Sequence, residues 1–144
     1  MSSRSPRFEL VVPVLASDID ELGHVNNTVY LRWVQEVATA HWRALASPAA
    51  QEAIVWVVVR HEIDYKAPAL PGDDVLLRTW VGHATRLTFE RFTEILRARD
   101  QLHLSNARTI WCPINPETNR PTRVGADVRA QFSSNGDARR PEDG

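Results

Sequence analysis

One stretch of this chain repeats its apolar residues at helical steps over a length that can span a small domain. From Asn27 onward, Tyr30, Val34, Val37, His41 and Leu45 share one stripe, with Leu31, Trp33, Ala38 and Trp42 beside it. Arg32, Glu36, Thr39 and Arg43 make a separate polar stripe, and Pro48 stops the pattern. At 1.5 Å per residue such a helix is about 27 Å long. Most of the remaining chain reads as strands. These are residues 7–17, where Pro13 signals an edge or bulge, then 53–68, 74–86, 87–100 and 102–114. Residues 97–103 read as a hairpin connection, 115–121 as a turn, and 125–132 as a short terminal helical piece. The order β, α, then four β predicts an α+β domain, an antiparallel sheet of about five strands on one long helix.

One helix covers only one face of such a sheet, yet residues 54–59, IVWVVV, are apolar at every position. A strand with two apolar faces needs both covered. A second copy of the chain is the economical cover, and a folded-back loop or C-terminal piece is the alternative. The length, 144 residues, suits one domain, expected over 8–132, with a flexible N-terminus at 1–7 and a disordered polar tail at 133–144. A net charge of −1 argues against a general nucleic-acid or membrane-surface binder. Cys112 is the one cysteine, so no internal disulfide forms; it reads as a core thiol. The first residues carry no apolar run suited to a signal peptide, and no stretch approaches the roughly 18 apolar residues of a membrane span. A cytoplasmic protein is the expectation.

The polar material is concentrated where the first strand meets the helix, in residues 18–27, DIDELGHVNN. Asn26 or Asn27 suits a helix N-cap. The first turn of a helix carries unpaired N–H groups and the positive end of its dipole, which hold an anion or an oxyanion forming during acyl transfer. Asp18 and Asp20 lie just upstream. A carboxylate near a helix N-terminus is held as the anion, so it suits a base or nucleophile better than a proton donor. Gly23 permits a tight turn. Ordinary capping explains the same composition, and Asp18 in particular reads as a turn residue.

The run DIDELGHVNNTVYLRW resembles the signature of the 4-hydroxybenzoyl-CoA thioesterase-like family of hotdog-fold acyl-CoA thioesterases, with Asp18, Asp20, Gly23, Val25, Tyr30, Arg32 and Trp33 in register. GHVNN also resembles an element of plant-type acyl-carrier-protein thioesterases, and IDYKAPALPGD and RTIWCPINPETNRP look like later segments of the first family. The resemblance spans about residues 8–132 and implies a hotdog fold assembled as a homodimer or homotetramer. It implies hydrolysis of an acyl-CoA thioester, with CoA as part of the substrate and neither metal nor other cofactor. Asp20 would be base or nucleophile, the Asn27 backbone N–H the oxyanion donor, and His24 a residue ordering Asp20 or water. Gly23, Asn26 and Arg86 would contact substrate, Arg86 facing the CoA phosphates. Acyl-carrier-protein thioesters are the close rival substrate, and a basic rim from Arg86, Arg91 and Arg97 would serve it. A non-catalytic acyl-thioester-binding protein is the rival of a different class.

Other residues carry weaker signals. Glu36 matches a helix-borne base of a sister lineage but sits four residues from Arg32, as in a surface ion pair. Lys66 and Arg91 are weak candidates for contacting CoA. His24, His41, His61, His83 and His103 show no metal-ligand spacing. The tryptophans, with Phe89 and Phe92, read as core.

Overall fold

The structure, a computed structural model, describes residues 5–132. The tail expected at 133–144 and the first four residues lie outside the described residues. Five long strands and one long helix dominate: β1 Phe8–Pro13, α1 Asn27–Leu45, β2 Val55–Tyr65, β3 Asp74–Ala84, β4 Phe89–Arg97 and β5 His103–Asn115. Two short helices, α2 Pro48–Ala53 and α3 Ala126–Phe132, and a two-residue strand β6 Arg120–Pro121 complete the fold. The sheet is antiparallel with order β1-β3-β4-β5-β2, and β6 adds to β5. Helix α1 lies against the sheet, as a hotdog fold requires.

The helical stripe behaves as its spacing implies through His41. Tyr30, Trp33, Val34, Val37, Ala38 and His41 are buried, and the first four pack with Val75, Leu77, Ile95 and Leu104 from the sheet. Leu45, expected on the same stripe, is exposed at the helix end. Arg32, Glu36, Thr39 and Arg43 face outward. Pro13 closes β1, an edge strand, so its missing N–H costs no ladder bond. The β4–β5 hairpin turns through Gln101 at φ 60°. Residues 5–7 pack down rather than trailing: Ser5 is buried and the Arg7 guanidinium lies 3.9 Å over the Trp80 ring.

Helix α2 was not expected. Ser47 caps it by accepting from the Ala50 N–H, and Pro48 occupies its first turn. Cys112 is half-buried rather than a core thiol. Strand β2 is the other edge of the sheet, and its outward residues Val55, Val57 and Val59 are 47%, 44% and 58% exposed. A bulge at Val59 shifts the register against β5.

Candidate active site

The junction between β1 and α1 is built by a turn of 3-10 helix, a β-bridge and a tight reversal. Residues Ala16–Asp18 form one turn of 3-10 helix. Ile19 and Val25 then bridge as a minimal antiparallel pair. Between them the chain reverses tightly: the Asp20 N–H donates to the His24 carbonyl at 2.8 Å, and the Gly23 N–H donates to the Asp20 carbonyl at 3.0 Å. Gly23 sits at φ +78° with open space around it, so backbone conformation alone demands glycine there. The loop is tied down by the Asn26 N–H donating to the Asp18 carbonyl and the Val25 N–H donating to the Ala69 carbonyl. Ala69 in turn donates its N–H to the hydroxyl of buried Tyr30.

The two acids have different surroundings. Asp18 is 1% exposed; one oxygen accepts from the Leu15 N–H at 2.9 Å and the other from Arg32 at 3.0 Å. It is a structural residue, as its turn context implies. Arg32 bridges onward to Glu36 at 3.0 Å, and both are solvent-exposed, which makes Glu36 a surface ion-pair partner. Asp18→Ala is expected to lower the unfolding free energy by about 2–3 kcal/mol, because the Leu15 N–H loses its acceptor and Arg32 loses its buried partner and keeps only Glu36. Glu36→Ala should cost under about 0.5 kcal/mol, as exposed pairs do. Urea denaturation of the two variants checks both values.

Asp20 is half-buried, and one of its oxygens accepts from the Leu22 N–H at 2.9 Å. The other oxygen has no partner among the described residues. Asn26 is the N-cap of α1, its side chain accepting from the Thr28 N–H and hydroxyl. That leaves Asn27 as the first helical residue; its N–H donates to no acceptor among the described residues, and its carbonyl accepts from the Tyr65 hydroxyl at 3.1 Å. His24 is exposed at the loop tip. Asp20, Gly23, His24, Asn26 and Asn27 therefore share one short segment at the helix N-terminus.

Arg86 stands elsewhere. It lies in the β3–β4 turn, and its carbonyl accepts from Arg129 of α3, by the C-terminal half of α1. Among the described residues, Arg86, Arg91 and Arg97 do not form the expected basic rim. Arg91 is buried, and Arg97 pairs with Asp100 at 2.6 Å. Among the described residues no three His, Cys, Asp or Glu side chains lie close enough to hold a metal ion, and no helix is long and apolar enough to cross a membrane.

A cavity of about 540 Å³ also lies elsewhere. It lies between the C-terminal half of α1, the short helices and the ends of β2–β5, and none of the junction residues line it. Trp42, Trp56, Phe89 and Trp111, expected in the core, form its walls instead. Trp33 and Trp80 are core as expected. The cavity lay beyond sequence reading because its walls come from seven separate elements.

No curated protein matches the chain by sequence. Among solved structures, a 1,4-dihydroxy-2-naphthoyl-CoA thioesterase from Synechocystis superposes with a TM-score of 0.75 at 21% identity, over 88% of this chain and 96% of that one. A thioesterase from Thermus thermophilus, complexed with coenzyme A and Zn, gives 0.76 at 22% identity over 86% and 95%. A 12:0-ACP thioesterase from Umbellularia californica gives 0.72 at 15% identity over 87% of this chain and 49% of that one. These likenesses establish the hotdog fold. The model of the thioesterase-like superfamily matches residues 14–132, which spans the junction, the helix and every long strand but β1, and the chain belongs to that superfamily of thioester hydrolases.

Proposed function

We propose that this protein is an acyl-CoA thioesterase that uses Asp20 and the opening turn of α1. The observation that carries this reading is the pairing, within eight residues, of a carboxylate with one unengaged oxygen and a helix-first N–H without an acceptor. A thioester carbonyl held by the Asn27 N–H is polarised, and its oxygen becomes an oxyanion facing the positive end of the helix dipole. As base, Asp20 takes a proton from the attacking water. The tetrahedral intermediate then collapses, the C–S bond breaks, and the CoA thiolate leaves with a proton returned to it. As nucleophile, Asp20 would attack the carbonyl carbon, the C–S bond would break with release of the CoA thiolate, and water would open the resulting acyl-anhydride. A single turnover in ¹⁸O-water that leaves label in the Asp20 carboxylate shows the nucleophilic route, with water opening the anhydride at the Asp20 carbonyl; a mixed anhydride trapped with hydroxylamine shows the same route when water attacks the acyl carbon. His24, at the tip of the same loop, orders Asp20 or the water.

Substrate class follows from charge. An acidic carrier protein calls for a basic docking rim, and the burial of Arg91 and pairing of Arg97 work against one. CoA is therefore the favoured carrier, and the resemblance of GHVNN to carrier-protein thioesterases is the counter-argument. Turnover on short, long and aryl acyl-CoAs, against matched carrier-protein thioesters, tests the reading. Faster hydrolysis of the CoA series is expected. Binding without turnover of any thioester would make the protein a non-catalytic acyl-thioester binder.

A second copy is the proposed cover for the outward valines of β2, which also has an unpaired edge. Because Arg86 stands at the far end of α1 within one protomer, a role for it on CoA phosphates also requires that copy. Val57→Lys places a charge on the proposed contact and is expected to convert the oligomer to monomers in sedimentation velocity. An unchanged sedimentation coefficient would remove this face from the assembly.

A further inference from the structure

Arg91 is an unusual residue to find inside a sheet–helix sandwich. It is 8% exposed, and no carboxylate pairs with it among the described residues. Its Nη1 donates to His41 Nδ1 at 2.9 Å and to the Thr79 hydroxyl at 3.2 Å. Those two bonds use the two hydrogens of Nη1. The Nε–H and the Nη2–H₂ group find no acceptor among the described residues. Nε and Nη2 lie side by side on a guanidinium and form the fork that matches both oxygens of a carboxylate. Burial lowers the Arg91 pKa to about 10, so the group stays charged at neutral pH. Buried cations are ordinarily paired, and this one is not.

Arg91 also lines the 540 Å³ cavity. The other walls are aromatic and mutually braced: Trp42 meets Trp56 edge-on at 5.4 Å, and Trp56 meets Phe89 at 5.1 Å. Glu90, the acid in the lining, is already satisfied by Arg108 and the His83 N–H, so it does not neutralise Arg91. The volume falls in the range of small-molecule pockets, roughly 300–1,000 Å³, whose usual make-up is an apolar lining with few polar anchors. We infer that this cavity is a binding site for a small amphipathic carboxylate, its anionic head on the Nε/Nη2 fork of Arg91 and its apolar body among Trp42, Trp56, Phe89 and Trp111. The site is separate from the junction: Ala38, the lining residue of α1 nearest the junction, lies eleven residues from Asn27, about 16 Å along the helix. Its occupancy does not depend on Asp20 being catalytic.

The test compares octanoate and 3-phenylpropanoate with 1-octanol and 3-phenylpropanol, by calorimetry and tryptophan fluorescence at pH 7. The carboxylates are expected to bind at least tenfold tighter than the matched alcohols and to change the fluorescence of the cavity tryptophans. Arg91→Met should remove that preference while keeping or raising the thermal midpoint, because it replaces an uncompensated buried charge with an apolar chain of similar length. Asp20→Asn should bind the carboxylates as the parent does, which keeps this result distinct from the turnover experiments. Equal affinity for acids and alcohols, no binding of the acids at millimolar concentration, or an acid preference surviving in folded Arg91→Met would each overturn the inference. If Arg91→Met does not fold, the acid-to-alcohol comparison on the parent chain decides alone.

Discussion

Asp20→Asn is expected to lower kcat/KM on the best acyl-CoA by about 10²–10⁴-fold, the contribution of a positioned proton-transfer group. Most of the loss should fall on kcat, since the carboxylate acts on water or on the carbonyl carbon and contributes little to holding CoA. Folding should be unaffected. The asparagine side-chain oxygen can still accept from the Leu22 N–H, and the residue is only half-buried. An unfolding free energy within about 0.5 kcal/mol of the parent is expected, as for substitutions that keep their local bond. The contrast with Asp18 gives the experiment its force: two acids two residues apart should separate into one that affects rate and one that affects stability.

A second large effect concerns acid stability. His41 is buried, its ring stacked on Phe8 at 5.0 Å and edge-on to Phe132 at 4.8 Å. The charged group facing it is Arg91 of β4, whose Nη1 donates to Nδ1, so the ring is neutral with its proton on Nε2. Burial first, and the Arg91 charge second, lower its pKa from 6.5 to about 3. The unfolded chain therefore binds a proton at this residue across an interval where the folded chain does not. Stability from this source is complete above pH 6.5 and is lost as pH falls toward 3, at about 1.4 kcal/mol per pH unit and about 4–5 kcal/mol in all. His41→Gln keeps an acceptor for Arg91 and does not titrate. Denaturation curves between pH 7 and pH 4 should show a steeper loss for the parent than for the variant. Parallel curves would show that His41 is protonated equally in both states.

How far these residues were legible beforehand depended on whether their role was local. The spacing of Tyr30, Val34, Val37 and His41 exposed helix α1 because burial on one side imposes a period on the sequence. Pro13 placed β1 at an edge for a reason contained in one residue. The N-cap, the tight turn at Gly23 and the grouping of Asp20 with Asn27 are likewise matters of a few adjacent residues. Helix α2 left a readable signal in Ser47-Pro48, but six residues are too few for periodicity to register. Arg91 left a fainter one. It shares strand parity with buried Thr93 and Ile95, so an alternating pattern would have pointed it inward. Its environment was not readable, since Thr79, His41 and the aromatic walls come from strands and helices remote in sequence. The burial of Asp18 against Arg32 depends equally on where α1 docks.

In the proposed reaction a thioester carbonyl sits between Asp20 and the first turn of α1. A crystal structure with a non-hydrolysable acyl-CoA analogue, a methylene ketone in place of the thioester, tests this most directly. The ketone oxygen is expected about 2.7–3.1 Å from the Asn27 backbone nitrogen, as for an oxyanion donor. The Asp20 carboxylate is expected about 3–3.5 Å from the carbonyl carbon, or bonded to a water at that distance. A carbonyl bound with neither group in reach would contradict the account.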